Sequence, residues 1–383
     1  MRRAIQGQWF PNSPGATGAP VIVRMWVVIP ALLCLGSCLL MSACASPGRG
    51  VDGEDGYVLF PPPPEKPRIQ FLTSYSNSLD VLPPLSGFRR FVVGEQEGRP
   101  IGKPYGVAIH DGQILVCDTA FAVIEVFDLK ARTFEILGGG QNGRLGKPIN
   151  VSVDEDGTRY VADTILNRVM IYDRSNRFLR AFGEPDKWSP TDVAIVGERL
   201  YVTDRKNGQV VVMEKATGQE IRRMSKLGAG KDELFLPTNV AVNADGDVYV
   251  SDTGNFRVQK FDSRGRHLRR FGKLGKRFGQ FVRPKGIALD REGRLYAVDA
   301  ASEVVQIFDP EGQLLVFFGG EGNHPGGLNL PAKVVVDYDN VDLFADLALP
   351  GYEIEYLVIV TSQYGPNKVN VFGFLKESQN GGN

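Results

Sequence analysis

Long helical patterns are missing from this sequence after residue 67, which argues against helical bundles and against folds that alternate strands with helices. Histidine is scarce. His110, His267 and His324 are the three in 383 residues, and they stand at unrelated places in the pattern described below. That argues against a multi-histidine metal centre. Cysteine is nearly as scarce, with Cys34, Cys38 and Cys44 inside one N-terminal apolar segment and Cys117 alone in the body. No C-x-x-C pair exists, so no disulfide framework, zinc site or haem attachment follows. Net charge is absent too: 44 Lys and Arg stand against 44 Asp and Glu. The first 43 residues hold Arg2, Arg3 and Arg24 and no acid, so a chain beginning at Cys44 carries 41 bases against 44 acids, a net of −3. Nothing in that balance favours nucleic acid as a partner.

What the chain does have is turn-forming material, Gly 45 and Pro 24, with 43% hydrophobic residues. Arg24 precedes an apolar run over residues 25–44. A positive charge, an apolar stretch and small residues after it read as an export signal, with a membrane-spanning anchor as the competing reading. Met41-Ser42-Ala43-Cys44 resembles a bacterial lipobox, in which the chain is cut before a cysteine that is then lipidated. Leu35-Gly36-Ser37-Cys38 is the alternative. Cleavage at Cys44 is preferred because it leaves the polar start Ala-Ser-Pro-Gly-Arg-Gly, whereas cleavage at Cys38 leaves Leu39-Leu40-Met41 on the mature end. We therefore expect a signal peptide over 1–43 and a tether over 44–66, stiffened by the run Pro61 to Pro64. A tail covers 377–383.

From Pro104 a unit recurs: proline, two residues, an alternating apolar strand, a turn, a strand ending in Asp, a turn, and a third strand ending Val-x-x-Phe or similar. Its prolines are Pro104, Pro148, Pro190, Pro237, Pro284 and Pro331, spaced 44, 42, 47, 47 and 47 residues apart. Fourth strands follow in five units, and residues 68–75 supply the one that the sixth lacks. Four strands per unit at this period give an all-β fold, a six-bladed β-propeller of four-stranded antiparallel blades over residues 67–376. The N-terminal strand closes it against residues 368–372, which removes the exposed edges of an open array.

Residues 160–173, YVADTILNRVMIYD, and 249–262, YVSDTGNFRVQKFD, resemble the NHL repeat. The resemblance is strong in units two, four and five. Unit one departs from it at Ala120-Phe121-Ala122, unit three at Arg205-Lys206-Asn207-Gly208, and unit six at Ser362 to Lys368. With the lipobox, the whole plan looks like the six-bladed propeller lipoproteins of bacterial envelopes. That resemblance implies a fold and a location, with the outer membrane expected in a Gram-negative cell, more than an activity. It also raises an accessory role in an envelope assembly.

Three features are candidates for chemistry or binding. Asp118, Asp163, Asp204, Asp252 and Asp299 end the second strands of five units. Carboxylates in a ring suit a structural or catalytic divalent cation, but an Asp that repeats with the fold unit more often accepts the N–H groups of the following turn. Next, eleven Lys and Arg fall between Arg257 and Lys285 with Asp262 as the one acid among them. Arg266, Arg269, Arg270, Lys273, Lys276 and Arg277 are its candidate partner-binding residues, either a solvated outer face or a surface for an anionic headgroup, an acidic glycan or an acidic protein. No aromatic platform is interleaved for bases. Finally, an insertion over about 339–355 delays the second strand of unit six and carries Asp342, Phe344, Asp346, Tyr352, Glu353 and Glu355. Residues 341–349 are expected to form a short amphipathic helix that either docks a partner or caps the ring.

No catalytic residue, metal site or cofactor is predicted. The expected function is a monomeric, lipid-anchored envelope binding or scaffold protein that presents its faces to a protein, a glycan or a small ligand. The alternative is a propeller enzyme, a lyase or a lactonase-like hydrolase, with a metal at the channel mouth.

Overall fold

The computed structural model describes residues 56–87, 91, 94–95 and 97–378. The expected signal segment, Cys38, Cys44 and residues 379–383 of the tail lie outside the described residues.

Among the described residues, six antiparallel sheets form the ring, five of four strands and one of five. In each of blades one to five the chain runs from the innermost strand outwards. Blade one is Pro104–His110, Gln113–Asp118, Val123–Asp128 and Thr133–Leu137. The innermost strands of the next four blades are Pro148–Val153, Pro190–Val196, Pro237–Val242 and Pro284–Leu289. Each opens on its proline, the place in a strand where a missing N–H costs least. Asp111 and Gly112 make the two-residue hairpin of blade one with φ of 47° and 80°, the left-handed geometry that such a hairpin requires.

The second and third strands are buried along almost their whole length, as in Gln113–Asp118 and Val304–Phe308, while outer strands such as Phe178–Phe182 are half exposed. A blade sandwiched on both faces has no polar side to alternate with, so its middle strands read as continuous apolar runs. Six apolar clusters result, one at each seam between neighbouring blades.

Blade six is built from both ends of the chain. Pro331–Asp337, Tyr352–Ser362 and Val369–Glu377 are followed outwards by Ile69–Tyr75, paired from Ile69↔Phe374 to Tyr75↔Val369. A further short strand, Leu59–Phe60, pairs beyond it and lies within the residues read as tether. The proline run is not a uniform rod either: Phe60–Pro61 and Pro63–Pro64 are cis, and Glu65 N–H donates to the Pro62 carbonyl in a turn.

The insertion differs from expectation. Residues 341–349 hold two single 3-10 turns, Val341–Leu343 and Ala345–Leu347, in place of one helix. Phe344 breaks the helix between them at φ −127° and ψ 2°, a conformation that lets its ring enter the seam of blades six and one. Gln70 holds the segment from the other side, donating to Leu347 O at 2.7 Å and accepting from Leu349 N–H at 2.8 Å. Asn340 Oδ1 accepts from Gly112 N–H in the blade-one hairpin at 2.7 Å, so the insertion lies at the end of the ring where the innermost strands finish.

Candidate functional site

The innermost strands begin around the opposite end, and there the channel opens into a cavity of about 640 Å³. Its position in the repeat is simple. Residues beside five of the six prolines line it, and blade six contributes Gln363. Lys147 and Arg283 precede Pro148 and Pro284, whereas Tyr105, Ile149, Thr191, Thr238 and Lys285 follow their prolines. Arg205 enters from the turn after the second strand of blade three, and Leu236, Phe256 and Val282 add an apolar wall. Among the described residues, four cations line this mouth and no carboxylate does.

Lys285 is the most unusual of them. The residue is 5% exposed, and its ammonium has no hydrogen-bond or ion-pair partner among the described residues. Its Nζ lies 4.7 Å from the centre of the Tyr105 ring, whose π face offers a weaker attraction than an anion. Burial, and then the positive charges of Arg283 and Lys103, push the Lys285 ammonium down to about 7. Burial likewise pushes the Tyr105 phenol up to about 12, against the pull of Arg283 and Arg205. Two hydroxyls fix the strand that carries Lys285: Ser251 Oγ donates to the Lys285 carbonyl, and Thr253 Oγ1 donates to Pro284 O at 2.7 Å.

One step deeper, two residues past each proline, the ring reads Gly106, Asn150, Asp192, Asn239, Gly286 and Lys333. Lys333 of blade six reaches across the channel to Asp192 of blade three, Nζ to Oδ2 at 2.7 Å. Asp192 also accepts from Asn239 Nδ2 at 3.1 Å and from Val240 N–H at 3.2 Å. Both charged side chains are buried, so each needs the other. The glycines on either side of blade six allow neighbouring strands to approach closely. A Cβ at Gly286 would lie 2.5 Å from Lys333 Cα. Beyond this pair the channel continues as a space of about 350 Å³ lined by Val107, Val151, Val193, Val240, Ile287 and Val334.

The five strand-end aspartates hold the loops around this mouth. Asp118 accepts from the N–H groups of Gly102, Lys103, Ala120 and Phe121. Asp163 does the same with Gly146, Lys147, Ile165 and Leu166. Asp204 takes Ser189, Lys206 and Asn207, and Asp299 takes Val282, Arg283 and Ala301. Asp252 binds Phe235 N–H and the side chains of Asn255, Arg257 and Gln259. Burial raises the Asp252 carboxyl despite these donors. Among the described residues no group of three or more His, Cys, Asp or Glu is placed to hold one metal ion. Cys117 is buried beside Asp118, and burial pushes its thiol well up, away from the reactive thiolate.

The basic stretch does not form a single face. Arg257 is buried against Asp252 at 2.7 Å, Lys260 pairs with Asp247 at 2.8 Å, and Lys285 belongs to the channel. Arg266 pairs with Asp262 at 2.5 Å, and Arg269 donates to the Glu311 carbonyl. Arg270, Lys273, Lys276 and Arg277 are exposed. In the insertion, Asp342 and Asp346 are exposed, Tyr352 and Glu355 are half-buried, and Glu353 meets Lys376 at 3.4 Å. Phe344 is 3% exposed, so it anchors the insertion and offers nothing to a partner. These acids and the mouth lie at opposite ends of the channel. The sequence reading missed Tyr105, Lys147, Arg205, Asp192 and Lys333, and counted Arg283 and Lys285 only as surface charge. Aligning the six repeats on their prolines and reading each column would have found all but Arg205.

Comparisons with known proteins agree with the architecture. An NHL-repeat family model matches residues 236–261, within blade four. The protein brain tumor of Drosophila melanogaster is 29% identical over 129 residues, which cover 32% of this chain and 12% of that protein. The chain thus spans about an eighth of that relative's length. Among solved structures, a streptogramin B lyase superposes with a TM-score of 0.51 at 12% identity, over 73% of this chain and 95% of the lyase. A gluconolactonase from Xanthomonas campestris gives 0.53 at 16% identity, over 72% and 86%. A Bacteroides thetaiotaomicron protein of unknown function gives 0.54 at 16% identity, over 72% and 70%. At such identities the likeness is one of fold.

Proposed function

We propose that this protein is an exported, lipid-anchored binding propeller of the cell envelope that takes a small organic anion at its channel mouth. One observation carries the binding reading: the buried Lys285, without an ion-pair or hydrogen-bond partner among the described residues, stands with Lys147, Arg205 and Arg283 in a cavity that no described carboxylate lines. Four like charges around a partly desolvated space repel one another, and an anion entering it relieves that repulsion while giving each cation a partner. Ile149, Leu236, Phe256 and Val282 suit an apolar body attached to the anionic group. The lipid anchor rests on the Met41–Cys44 motif in the sequence.

Benzoate, benzamide and benzamidine have one shape and three charges, and titration calorimetry with each tests the reading. Benzoate is expected to bind, benzamide more weakly, and benzamidine not at all, with the preference lost in Lys285→Met. Equal behaviour of the three would overturn it.

A second reading, an enzyme at the same mouth, is favoured by the Lys285 ammonium lying near 7, where a lysine can both give and take a proton. Turnover of a bound carboxylate ester or lactone that disappears in Lys285→Met would establish it. Binding without turnover leaves the first reading.

A further inference from the structure

Two adjacent loops flank blade four on the channel-mouth end of the ring. Residues 226–236 lead from the outer strand of blade three to Pro237, and residues 273–283 lead from the outer strand of blade four to Pro284. The two have the same build, each pinched by a parallel bridge, Leu227↔Leu234 and Leu274↔Phe281. Leu234 and Phe281 turn inward and are fully buried. Their bridge partners turn outward: Leu227 is 54% exposed and Leu274 is 62% exposed. Phe278 adds another outward apolar group at 45%, backed by a stack on Phe317 with ring centres 3.7 Å apart. Large apolar side chains that folding leaves in water gain little from it.

Charge accompanies them. Residues 273–283 hold Lys273, Lys276, Arg277 and Arg283 and no acid, a net of +4 over eleven residues. The first three are exposed and have no ion-pair partner among the described residues. The equivalent loop of blade five, residues 320–330, carries no Lys or Arg and has Glu321 where blade four has Leu274. The basic pattern is therefore a property of residues 273–283 and is not imposed by the repeat, while residues 226–236 hold two bases and two acids and contribute the apolar Leu227.

We propose that the loops flanking blade four dock the channel-mouth end of the propeller onto an anionic phospholipid surface. Leu274, Phe278 and Leu227 enter the interfacial layer, and Lys273, Lys276 and Arg277 stay at headgroup level. A protein partner of acidic surface would match the cations but would offer nothing apolar to Leu274, Phe278 and Leu227. A bilayer takes exposed apolar side chains and basic neighbours together. This proposal does not depend on ligand binding at the mouth.

Hydrogen exchange read by mass spectrometry tests it on the full chain reconstituted in vesicles of phosphatidylcholine alone or mixed with phosphatidylglycerol. Slower exchange in residues 226–236 and 273–283 is expected with the anionic vesicles only, and residues 320–330 serve as the internal control. Each exposed cation contributes about fivefold to such docking, so Lys273→Gln with Lys276→Gln and Arg277→Gln weakens it by roughly a hundredfold and abolishes the protection. Leu274→Ser with Phe278→Ser abolishes it as well while the charge is kept. All five side chains are exposed, and an unchanged melting temperature confirms that each variant is folded. Protection that is equal on neutral and anionic vesicles, absent on both, or produced only by envelope proteins without lipid would overturn the proposal.

Discussion

Replacing Lys285 by methionine should make the protein more stable at neutral and acid pH, although it removes a residue from the centre of the candidate site. The reasoning starts from the ammonium's position. Its ordinary value is 10.5, and burial with two neighbouring cations brings it to about 7. Between these values the unfolded chain holds a proton that the folded protein has given up, so wild-type stability rises with pH across that window. Below about pH 7 the folded protein must carry the charge in its poorly solvated place. Full conversion at about 1.4 kcal/mol per pH unit gives a penalty on the order of 5 kcal/mol, and water entering the mouth reduces it to ~2 kcal/mol. Methionine has nearly the shape of lysine and no charge to bury. Lys285→Met should therefore melt about 4 °C above wild type at about pH 6, and the gap should close as the pH approaches 10.5. Benzoate should narrow the gap at pH 6 by stabilising only the wild type. Thermal melts at a series of pH values, with and without benzoate, provide the assay. A variant less stable than wild type at pH 6, or a gap independent of pH, would refute the argument, because either result means that the ammonium is already satisfied in the folded protein.

Two further substitutions test the scaffold around the site. Asp192→Ala leaves Lys333 charged and buried without its partner, at a cost of about 3–5 kcal/mol in denaturant unfolding. Adding Lys333→Met should recover most of that loss, and a double variant no better than Asp192→Ala would show that the two do not act as a pair. Phe344→Ala empties a seam position and should cost about 3 kcal/mol, with protease cutting appearing first in residues 345–351.

The fold was legible because its signals repeat. Six prolines at the heads of strands, strand-end aspartates in five blades and turn glycines all follow the same backbone geometry, and each copy corroborates the others. Ring closure was readable for the same reason, since residues 68–75 have the alternation of an outer strand and blade six lacks one. The insertion was less legible. An apolar residue at every third or fourth position predicts a helix, and Val341, Phe344 and Ala348 provide that spacing. Phe344 instead leaves helical geometry to fill the seam, a tertiary demand that a local pattern cannot express. The basic stretch was misleading in the opposite way. Arg257 and Lys285 sit 28 residues apart in one run of cations, yet one is locked on Asp252 at a blade's third strand and the other faces the channel. Along a strand, inward and outward positions alternate, so linear charge density averages over surfaces that never meet.

The same alternation explains where functional information survives in a repeat protein. Most columns facing the seams stay apolar, although one holds Glu125, Gln259 and Gln306 in blades one, four and five, and the aspartate column must keep its loop, so these columns vary less among the units. The channel columns are free to differ, and they do. One residue past the proline the units read Tyr105, Ile149, Thr191, Thr238, Lys285 and Ala332, and one further on Gly106, Asn150, Asp192, Asn239, Gly286 and Lys333. Each column contains a single lysine, on neighbouring blades five and six, and the contrast between them separates structure from function. Lys333 faces a blade whose matching residue is Asp192, and the two meet at 2.7 Å. An acid at Ile149 or Thr191 would offer Lys285 a similar arrangement, but both are uncharged, and the charges that act on it are those of Arg283 and Lys103. A ring needing only to be plugged is served by the first lysine. The second reduces the stability of the mouth, a cost that an anion from solution would offset under the proposed binding reading and that a proton-transferring lysine would explain under the enzyme reading.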